Sequence, residues 1–490
     1  MIMGKNYVNG KFCEHVPDFS TLNPATEEEI GFFKITEAGD VDEAVDSAHC
    51  AFDKWRELSR VQRSDYLDRL AQLMKRDHQK LLTAISQETG KTLNESHAEV
   101  IESLHMVQYA AGTGRMPYGE LIASEIPHKD SYMLRKPKGV VAIVSPWNFP
   151  MAIGGFWNTA PALIEGNTVV WKPSEYTPMC AQLVAELYHE AGFPPGVFNV
   201  IHGMGQTGAE LVQNNVDCIL FTGSPEVGKI IRAHCATTWN KSSACEMGGK
   251  SAIIMFEDAN MDLAIDSCIA SAYKLTGQRC VSAGRMLVHE SIIGEFTDRF
   301  MERSIDLKVG NPFVEEDAFC GPIINKKQLE RVESYNKMTE DDTDVEVMLG
   351  GHRFGDQGYF ITPHVYACTW DRNKRFLSEE VFGPHVAIIP FTDVDEAIHI
   401  NNDTDYGLAV GFLTENFKTA RRCRDKLDYG MAYWNGGSIA AESHLGFGGV
   451  KKSGNGWPSA ARCYQAVTDE VAFTVNHEEG LTFCQGMKTK

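Results

Sequence analysis

Apolar residues recur along this chain with two different periods. Val41, Ala44, Val45, Ala48, Ala51, Phe52 and Trp55 fall at helical spacing, so the segment opened by Asp40 predicts an amphipathic helix. Glu43, three residues after Asp40, predicts a capping box. Tyr66, Leu67, Leu70, Leu73 and Met74 predict a second helix, and the run from Leu81 to Leu104 continues the helical pattern. Shorter apolar runs then take over. Val140–Val144, Thr168–Trp171, Val197–Ile201 and Cys218–Thr222 are bounded by turn residues and read as buried strands. Between them Thr177 and Pro178 start a helix carrying Leu183, Val184 and Leu187, which stops near Gly192. Ser224 as N-cap and Pro225 at the first helical position open another, with Val227, Ile230, Ile231 and His234 at helical spacing. Strand, turn and helix in repetition predict a nucleotide-binding α/β unit.

A second unit follows Lys250. Ser251–Met255 predicts a strand, Met261–Leu275 a helix, and Phe296–Leu307 a helix with a polar face. His385–Pro390 predicts a strand, Asp393 and Glu396 repeat the capping-box spacing, and Tyr406–Phe412 predicts a further strand. Gly112, Gly114, Pro117 and Gly119 interrupt the first unit, and a strand is expected at Ser131–Arg135. Val471, Phe473 and Val475 alternate near the C-terminus, which predicts a strand with one buried face.

Size and charge narrow the class. With 490 residues, two or three domains are expected. The formal net charge of −20 argues against a nucleic-acid partner and against an anionic membrane surface. Thirteen cysteines show no C-x-x-C pair, and the first residues lack the apolar core of a secretory leader. A reducing, cytoplasmic setting is expected. His97 and His105 have no metal-site spacing, and the acidic stretch Glu340–Asp344 reads as a solvated loop, so no metal is expected.

Three pieces of the central stretch carry candidate chemistry. After the Cys218–Thr222 run, Gly223 permits a tight turn into the helix capped by Ser224, whose free N–H groups and dipole favour a phosphate. Glu246 offers a carboxylate beside the flexible Gly248-Gly249 backbone, and Cys280 follows Gly277-Gln-Arg. A cysteine is more often a small buried hydrophobe, though Arg279 stabilises a thiolate if it points inward. Asn148 reads as a turn residue or as an amide aimed at an oxyanion. Lys172 and Glu175 read as surface charges or as partners of a ribose hydroxyl. Gly203-Met-Gly205-Gln-Thr-Gly208 matches a glycine fingerprint literally, but Asp217 precedes the next strand, so the segment reads as a structural turn.

Taken in order, these motifs resemble the NAD(P)-dependent aldehyde dehydrogenase superfamily, of the hydrolytic, non-CoA-acylating type. The resemblance rests on Pro146-Trp-Asn-Phe-Pro150, Lys172-Pro-Ser-Glu175, Phe221-Thr-Gly-Ser224 with Gly228, and Glu246-Met-Gly-Gly-Lys250. It continues through Gly277-Gln-Arg-Cys280, Glu379-Glu-Val-Phe-Gly-Pro384, and Gly446-Phe-Gly-Gly449 with Lys451, Ser453 and Gly454. It implies an α/β fold with a Rossmann-like NAD-binding domain (residues 1–117 and 137–248), an α/β catalytic domain (249–447) and a small β oligomerisation arm (118–136 and 465–490). It implies Cys280 as nucleophile, Asn148 as oxyanion donor and Glu246 as general base. For the cofactor it implies Pro146, Trp147, Gly223, Ser224, Gly228, Glu380 and Phe382, with Lys172 and Glu175 at the adenine ribose. NAD is expected, with NADP open. A small-molecule aldehyde and a homo-oligomer are the partners expected, with no nucleic acid and no membrane.

Two departures bear on the substrate. The family pattern has one residue fewer between Phe149 and Pro161, so Gly154-Gly155 is expected to bend the helix lining the aldehyde tunnel. A semialdehyde bearing an amino acid or carboxylate, glutamate semialdehyde included, is an alternative to a plain aldehyde. The other classes weighed are a cysteine hydrolase, which would pair Cys280 with a histidine base, and a non-catalytic scaffold. A CoA-acylating relative would lack the base that Glu246 supplies.

Overall fold

The computed structural model describes residues 2–487. An eight-stranded sheet runs in the order Gly454–Asn455, Ser242–Glu246, Cys218–Thr222, Val140–Val144, Thr168–Lys172, Phe198–Val200, Tyr7–Val8 and Lys11–Phe12. The five strands from Ser242–Glu246 to Phe198–Val200 are mutually parallel. Alternate residues explain why they are apolar throughout. Val141, Ile143, Val169, Trp171 and Leu220 enter one buried cluster, while Val140, Ala142, Val170, Ile219 and Phe221 enter the other. The Val140–Val144 strand is flanked by Thr168–Lys172 on one side and Cys218–Thr222 on the other. Strand order therefore reverses at its carboxyl end, the crevice where open α/β sheets take ligands.

A seven-stranded sheet runs Glu346–Leu349, His364–Ala367, His385–Phe391, Ala283–His289, Ser251–Met255, Ala409–Leu413 and Met431–Trp434. All of its pairings are parallel except that of Glu346–Leu349. It too is buried on both faces, with Ile254, Leu287 and Ile389 opposite Ile253, Met286 and Ile388. A separate antiparallel ribbon joins Thr468–Asn476 to Lys129–Pro137, in register from Thr468↔Pro137 to Asn476↔Lys129, with Glu120–Ile122 alongside. No helix among the described residues is long and apolar enough to cross a membrane.

Several expected details differ. The first helix starts at Ala38 with Glu37 as N-cap and no side-chain cap, so Asp40 lies inside the first turn. The Leu81–Leu104 run is two helices, His78–Thr89 and Leu93–Thr113, separated by Gly90 at φ 76°. Asp393 caps the N–H groups of Asp395 and Glu396, but Glu396 reaches back to Thr392 instead of closing the box. Thr177 makes no cap; buried Glu88, from another helix, accepts the N–H groups of Met179 and Cys180 at 2.8 Å each. On the Pro225–Ala236 helix only Ile231 of the apolar trio is buried, while Val227 and Ile230 are exposed. The Val471, Phe473 and Val475 face is only half covered, with Phe473 53% exposed. The acidic loop is tied down, since Lys374 Nζ donates to Asp342 at 2.9 Å and to Asp344 at 3.4 Å.

The Gly154-Gly155 segment forms a π-helix, Ala152–Asn158, continuing into Thr159–Ile164. A wider turn accommodates an added residue without ending the helix. Gly154 is required there, because a Cβ would stand 2.2 Å from Trp171 Nε1 and 2.5 Å from Ser145 Oγ.

Candidate active site

The carboxyl edge of the first sheet meets the amino edge of the second. Pro146, Trp147 and Asn148 leave the Val140–Val144 strand, Gly223 and Ser224 leave Cys218–Thr222, and Glu246 ends Ser242–Glu246. From the other sheet, Cys280 precedes the Ala283–His289 strand, and Glu380 and Phe382 precede His385–Phe391. A cleft of about 910 Å³ lies between them. Pro146, Trp147, Asn148, Gly223 and Ser224 line one side, and Cys280, Glu380 and Phe382 the other.

The loop delivering Cys280 is backbone-strained and heavily pinned. The helix ends at Tyr273, and Leu275, Thr276 and Gly277 then take φ of 55°, 53° and 72°. Left-handed backbone is costly for leucine and threonine and persists only where neighbours enforce it. Here Glu95 accepts the Leu275 N–H at 2.6 Å, and Thr276 Oγ1 donates to the Gly321 carbonyl at 2.6 Å. The buried Gln278 side chain donates to the Leu275 and Pro322 carbonyls and accepts from the Ile324 N–H. Asn148 Nδ2 donates to the Gln278 carbonyl at 3.0 Å, while Asn148 Oδ1 is buried without a partner. Gly249 packs so closely that a Cβ would stand 2.5 Å from the Cys280 carbonyl oxygen.

Burial dominates the electrostatics. It pushes the Cys280 thiol well up, with the negative charges of Glu246 and Glu380 adding to the shift and Arg279 opposing it. Glu246 is 1% exposed, both its oxygens lack partners, and burial holds its carboxyl well above the usual range. Burial raises Glu380 to about 7 against the opposing N–H of Gly249, which donates to its carboxylate at 2.9 Å. The loop around Glu380 is held by the Lys326–Glu340 helix. Arg331 donates to the Glu380 carbonyl at 2.8 Å and Gln328 to the Phe382 carbonyl at 3.0 Å. Phe382, at φ 64°, meets the Trp147 ring edge-on with centroids 5.4 Å apart.

The Ser224 hydroxyl accepts the Val227 N–H, and Ser224, Pro225 and Glu226 at that helix start line the cleft. Four residues singled out from the sequence lie outside the cleft lining. Glu246 is buried behind it. Lys172, 4% exposed, pairs with Glu175 at 3.4 Å, beside Tyr176, which does line the cleft. Gly228 sits under its helix, where a Cβ would stand 2.3 Å from Met247 Sδ. Sequence reasoning missed Gln278, Gln328 and Arg331 as positioning groups. It also missed Glu95, although Thr92-Leu-Asn-Glu95 spells the capping box that the structure forms.

Fold and site together define a two-sheet α/β enzyme with a cysteine facing a dinucleotide-sized cleft. The chain belongs to the aldehyde dehydrogenase family, whose profile matches residues 13–471. It is 37% identical to an aldehyde dehydrogenase of Emericella nidulans over 92% of this chain and 90% of that one. It is 33% identical to the alpha-ketoglutaric semialdehyde dehydrogenase of Bacillus subtilis, over 91% of this chain and 93% of the relative. Among solved structures, betaine aldehyde dehydrogenase from Staphylococcus aureus in complex with NAD+ superposes with a TM-score of 0.92 at 31% identity, covering 98% of this chain and 95% of that one.

Proposed function

We propose that this protein oxidises an aldehyde to the carboxylic acid with NAD, through a covalent intermediate on Cys280. The observation that carries the reading is that Cys280 and the Asn148 amide meet at the cleft that also holds the Ser224 helix N-terminus. The family membership and the NAD+ complex of a similar enzyme support it.

Cys280 gives up its thiol proton to solvent, Sγ bonds to the carbonyl carbon, and the π electrons of the C=O bond move onto the oxygen, which becomes an alkoxide. The Asn148 side-chain amide and the Cys280 backbone N–H are the donors assigned to that charge. The residues assigned to the cofactor are Pro146, Trp147, Gly223, Ser224, Glu380 and Phe382 along the cleft. Lys172 and Glu175 are assigned to the adenine ribose, and Gly228 keeps the phosphate-binding helix close to Met247. NAD held by these residues would supply the hydride acceptor for the carbon bonded to Cys280, whose side chain then carries the acyl group as a thioester. Glu246 takes a proton from water as its oxygen attacks the thioester, releasing the acid and restoring the thiol. Burial of an unpaired Glu246 suits this role, because a raised carboxyl pKa makes its carboxylate a stronger base.

The sheets support the division into residues 1–117 with 137–248, then 249–447, with 118–136 and 465–490 as an arm. The half-covered ribbon supports a homo-oligomer in which a second copy covers Phe473 and its neighbours. Thirteen free thiols support a cytoplasmic setting.

The test is NADH formation at 340 nm on the unaltered protein and on Cys280→Ala. Turnover is expected to vanish in the variant while NAD affinity persists, since capture and cofactor docking use different elements. Retained turnover would remove Cys280 from the mechanism. A hydrolase or a scaffold would form no NADH at all.

A further inference from the structure

Two buried glutamates on the Leu93–Thr113 helix hold two separate pieces of the candidate site. Glu95 and Glu99 lie one turn apart on the same face, about 6 Å along the axis. Glu95 is 5% exposed and Glu99 1%, and neither lines the cleft. Glu95 divides its carboxylate. Oε2 accepts the Thr92 N–H at 3.0 Å and the Thr92 hydroxyl at 2.9 Å, within the capping box of its own helix. Oε1 accepts the Leu275 N–H at 2.6 Å, across 180 residues of sequence. Leu275 is the first left-handed residue of the loop that leads to Cys280. Both oxygens face N–H or O–H donors, so only an acceptor-only group satisfies the position.

Glu99 holds the facing piece. Its Oε1 accepts the Met151 and Ala152 N–H groups at 3.0 and 3.1 Å. These groups open the π-helix, where no intrahelical partner is available to them. Met151 stands three residues after Asn148, with Pro150 between them. Oε2 of Glu99 pairs with Lys91, both side chains fully buried, and Lys91 Nζ lies 3.8 Å from the centroid of the Phe149 ring. One turn of helix therefore grips the Asn148 segment at Met151 and the Cys280 loop at Leu275. The bond from Asn148 to the Gln278 carbonyl closes this frame.

We propose that Glu95 and Glu99 are positioning residues for the reaction, Glu95 setting the Cys280 loop and Glu99 the Asn148 amide, so that one helical turn fixes nucleophile and oxyanion donor relative to each other. This rests on the reading of Cys280 as nucleophile and Asn148 as donor. Leu275 and Thr276 are held in disfavoured left-handed backbone. Release of the Leu275 N–H lets them relax, and Cys280 moves with its loop. Loss of the Glu99 acceptor frees the start of the π-helix, and Asn148 with it. A displacement of about 1 Å at a reacting group costs on the order of 10²-fold in rate. The two glutamates leave different signatures. Glu95 acts on the sulfur itself, and Glu99 only on the charge that forms once the sulfur has attacked.

Two rates measured on the full chain separate these roles. One is the NADH burst with NAD and whichever of acetaldehyde, pentanal, benzaldehyde and 5-oxopentanoate turns over fastest. The other is alkylation of Cys280 by iodoacetamide, read on its own peptide by mass spectrometry. Glu95→Gln turns an amide N–H₂ toward a buried donor and is expected to lower both rates by about tenfold or more. Glu95→Asp, one methylene short of Leu275, carries the same expectation if the first variant does not fold. Thr92→Val breaks the capping box but keeps the Leu275 contact, so it should lower Tm and leave both rates within about threefold. Lys91→Met with Glu99→Leu removes the buried pair and the acceptor without orphaning a charge. The burst should then fall about tenfold or more, with alkylation within about twofold. Lys91→Met with Glu99→Gln returns an acceptor oxygen and should bring the burst back to within about threefold of the unaltered protein. In an Asn148→Ala background the Glu99→Leu loss should nearly vanish, whereas the Glu95→Gln loss should persist. Unchanged alkylation in both Glu95 variants, equal bursts for the two Glu99 variants, rate losses in Thr92→Val as large as those in Glu95→Gln, or full additivity of Glu99→Leu with Asn148→Ala would each overturn the assignment while leaving Cys280 as nucleophile. Absence of NADH with every aldehyde on the unaltered protein would overturn the parent reading, and this one with it.

Discussion

The side-chain amide of Asn148 donates to the backbone carbonyl of Gln278 at 3.0 Å. Asn148 follows the Val140–Val144 strand of the first sheet, and Gln278 lies two residues before Cys280 in the loop leading to the Ala283–His289 strand of the second. The bond ties the loop that precedes Cys280 to the segment that follows the Val140–Val144 strand.

Asn148→Ala removes the tether and, on the proposed mechanism, the oxyanion donor. We expect kcat to fall by about 10²–10³-fold, the loss typical of one such donor. Steady-state NADH kinetics check it, with NAD affinity expected to hold. A loss below tenfold would leave the backbone N–H of Cys280 as sufficient.

Glu246→Gln should slow deacylation more than hydride transfer, because a base for water is needed only once the thioester exists. Rapid mixing should show an NADH burst followed by slow turnover. In the unaltered protein the base form is the carboxylate, and burial raises its pKa. Deacylation should therefore increase as pH rises through that elevated value, and the variant should lose this limb of the profile. An equal loss in the burst would reassign Glu246 to thiol activation.

NAD should be preferred over NADP. Glu175 pairs with Lys172 at 3.4 Å, so the pair offers a 2′-phosphate a like charge beside an already neutralised lysine. Glu175→Gln should narrow the ratio of kcat/KM values for the two cofactors. A wild type that favours NADP would refute the ribose assignment.

Gly154→Ala places a methyl group where Trp171 donates to Ser145 at 2.8 Å, in a fully buried wall. Overpacking of this kind costs about 1–3 kcal/mol. Thermal melting of wild type and variant at one pH is the measurement. A Tm unchanged within a degree would mean that the π-helix shifts freely off the sheet.

Removing residues 470–490 deletes most of the Thr468–Asn476 strand, which pairs along its whole length with Lys129–Pro137. The full chain should be a closed oligomer by light scattering coupled to size exclusion, and the truncated chain should dissociate and lose solubility. A fully active monomer of 54.4 kDa would remove the arm hypothesis.

The apolar runs Val140–Val144 and Cys218–Thr222 were legible as buried strands because burial on both faces leaves no polar alternation to obscure them. Ser224-Pro225 was legible as a helix start, since capping depends on neighbours within four residues. The start of the first helix was not. Asp40 carries the right residue type, but the chain is already helical from Ala38, so the local cap is never used. Glu88 shows the converse, capping a helix about ninety residues away by a contact that no local pattern encodes.

The sequence by itself determined the list of chemical groups: a cysteine, an acid, an amide and a glycine turn at a helix start, in motifs that resemble one family. These are properties of residue type and short spacing, which survive in an unfolded chain. Only the tertiary structure decided which of them share a cleft. It put Cys280 across one cleft from Asn148 and Ser224, buried Glu246 outside the cleft lining, and made Gly228 a packing position against Met247. The reason is physical. Charge, burial and left-handed backbone at Leu275 and Thr276 are imposed by atoms far away in sequence, and their energies exist only once both sheets are packed.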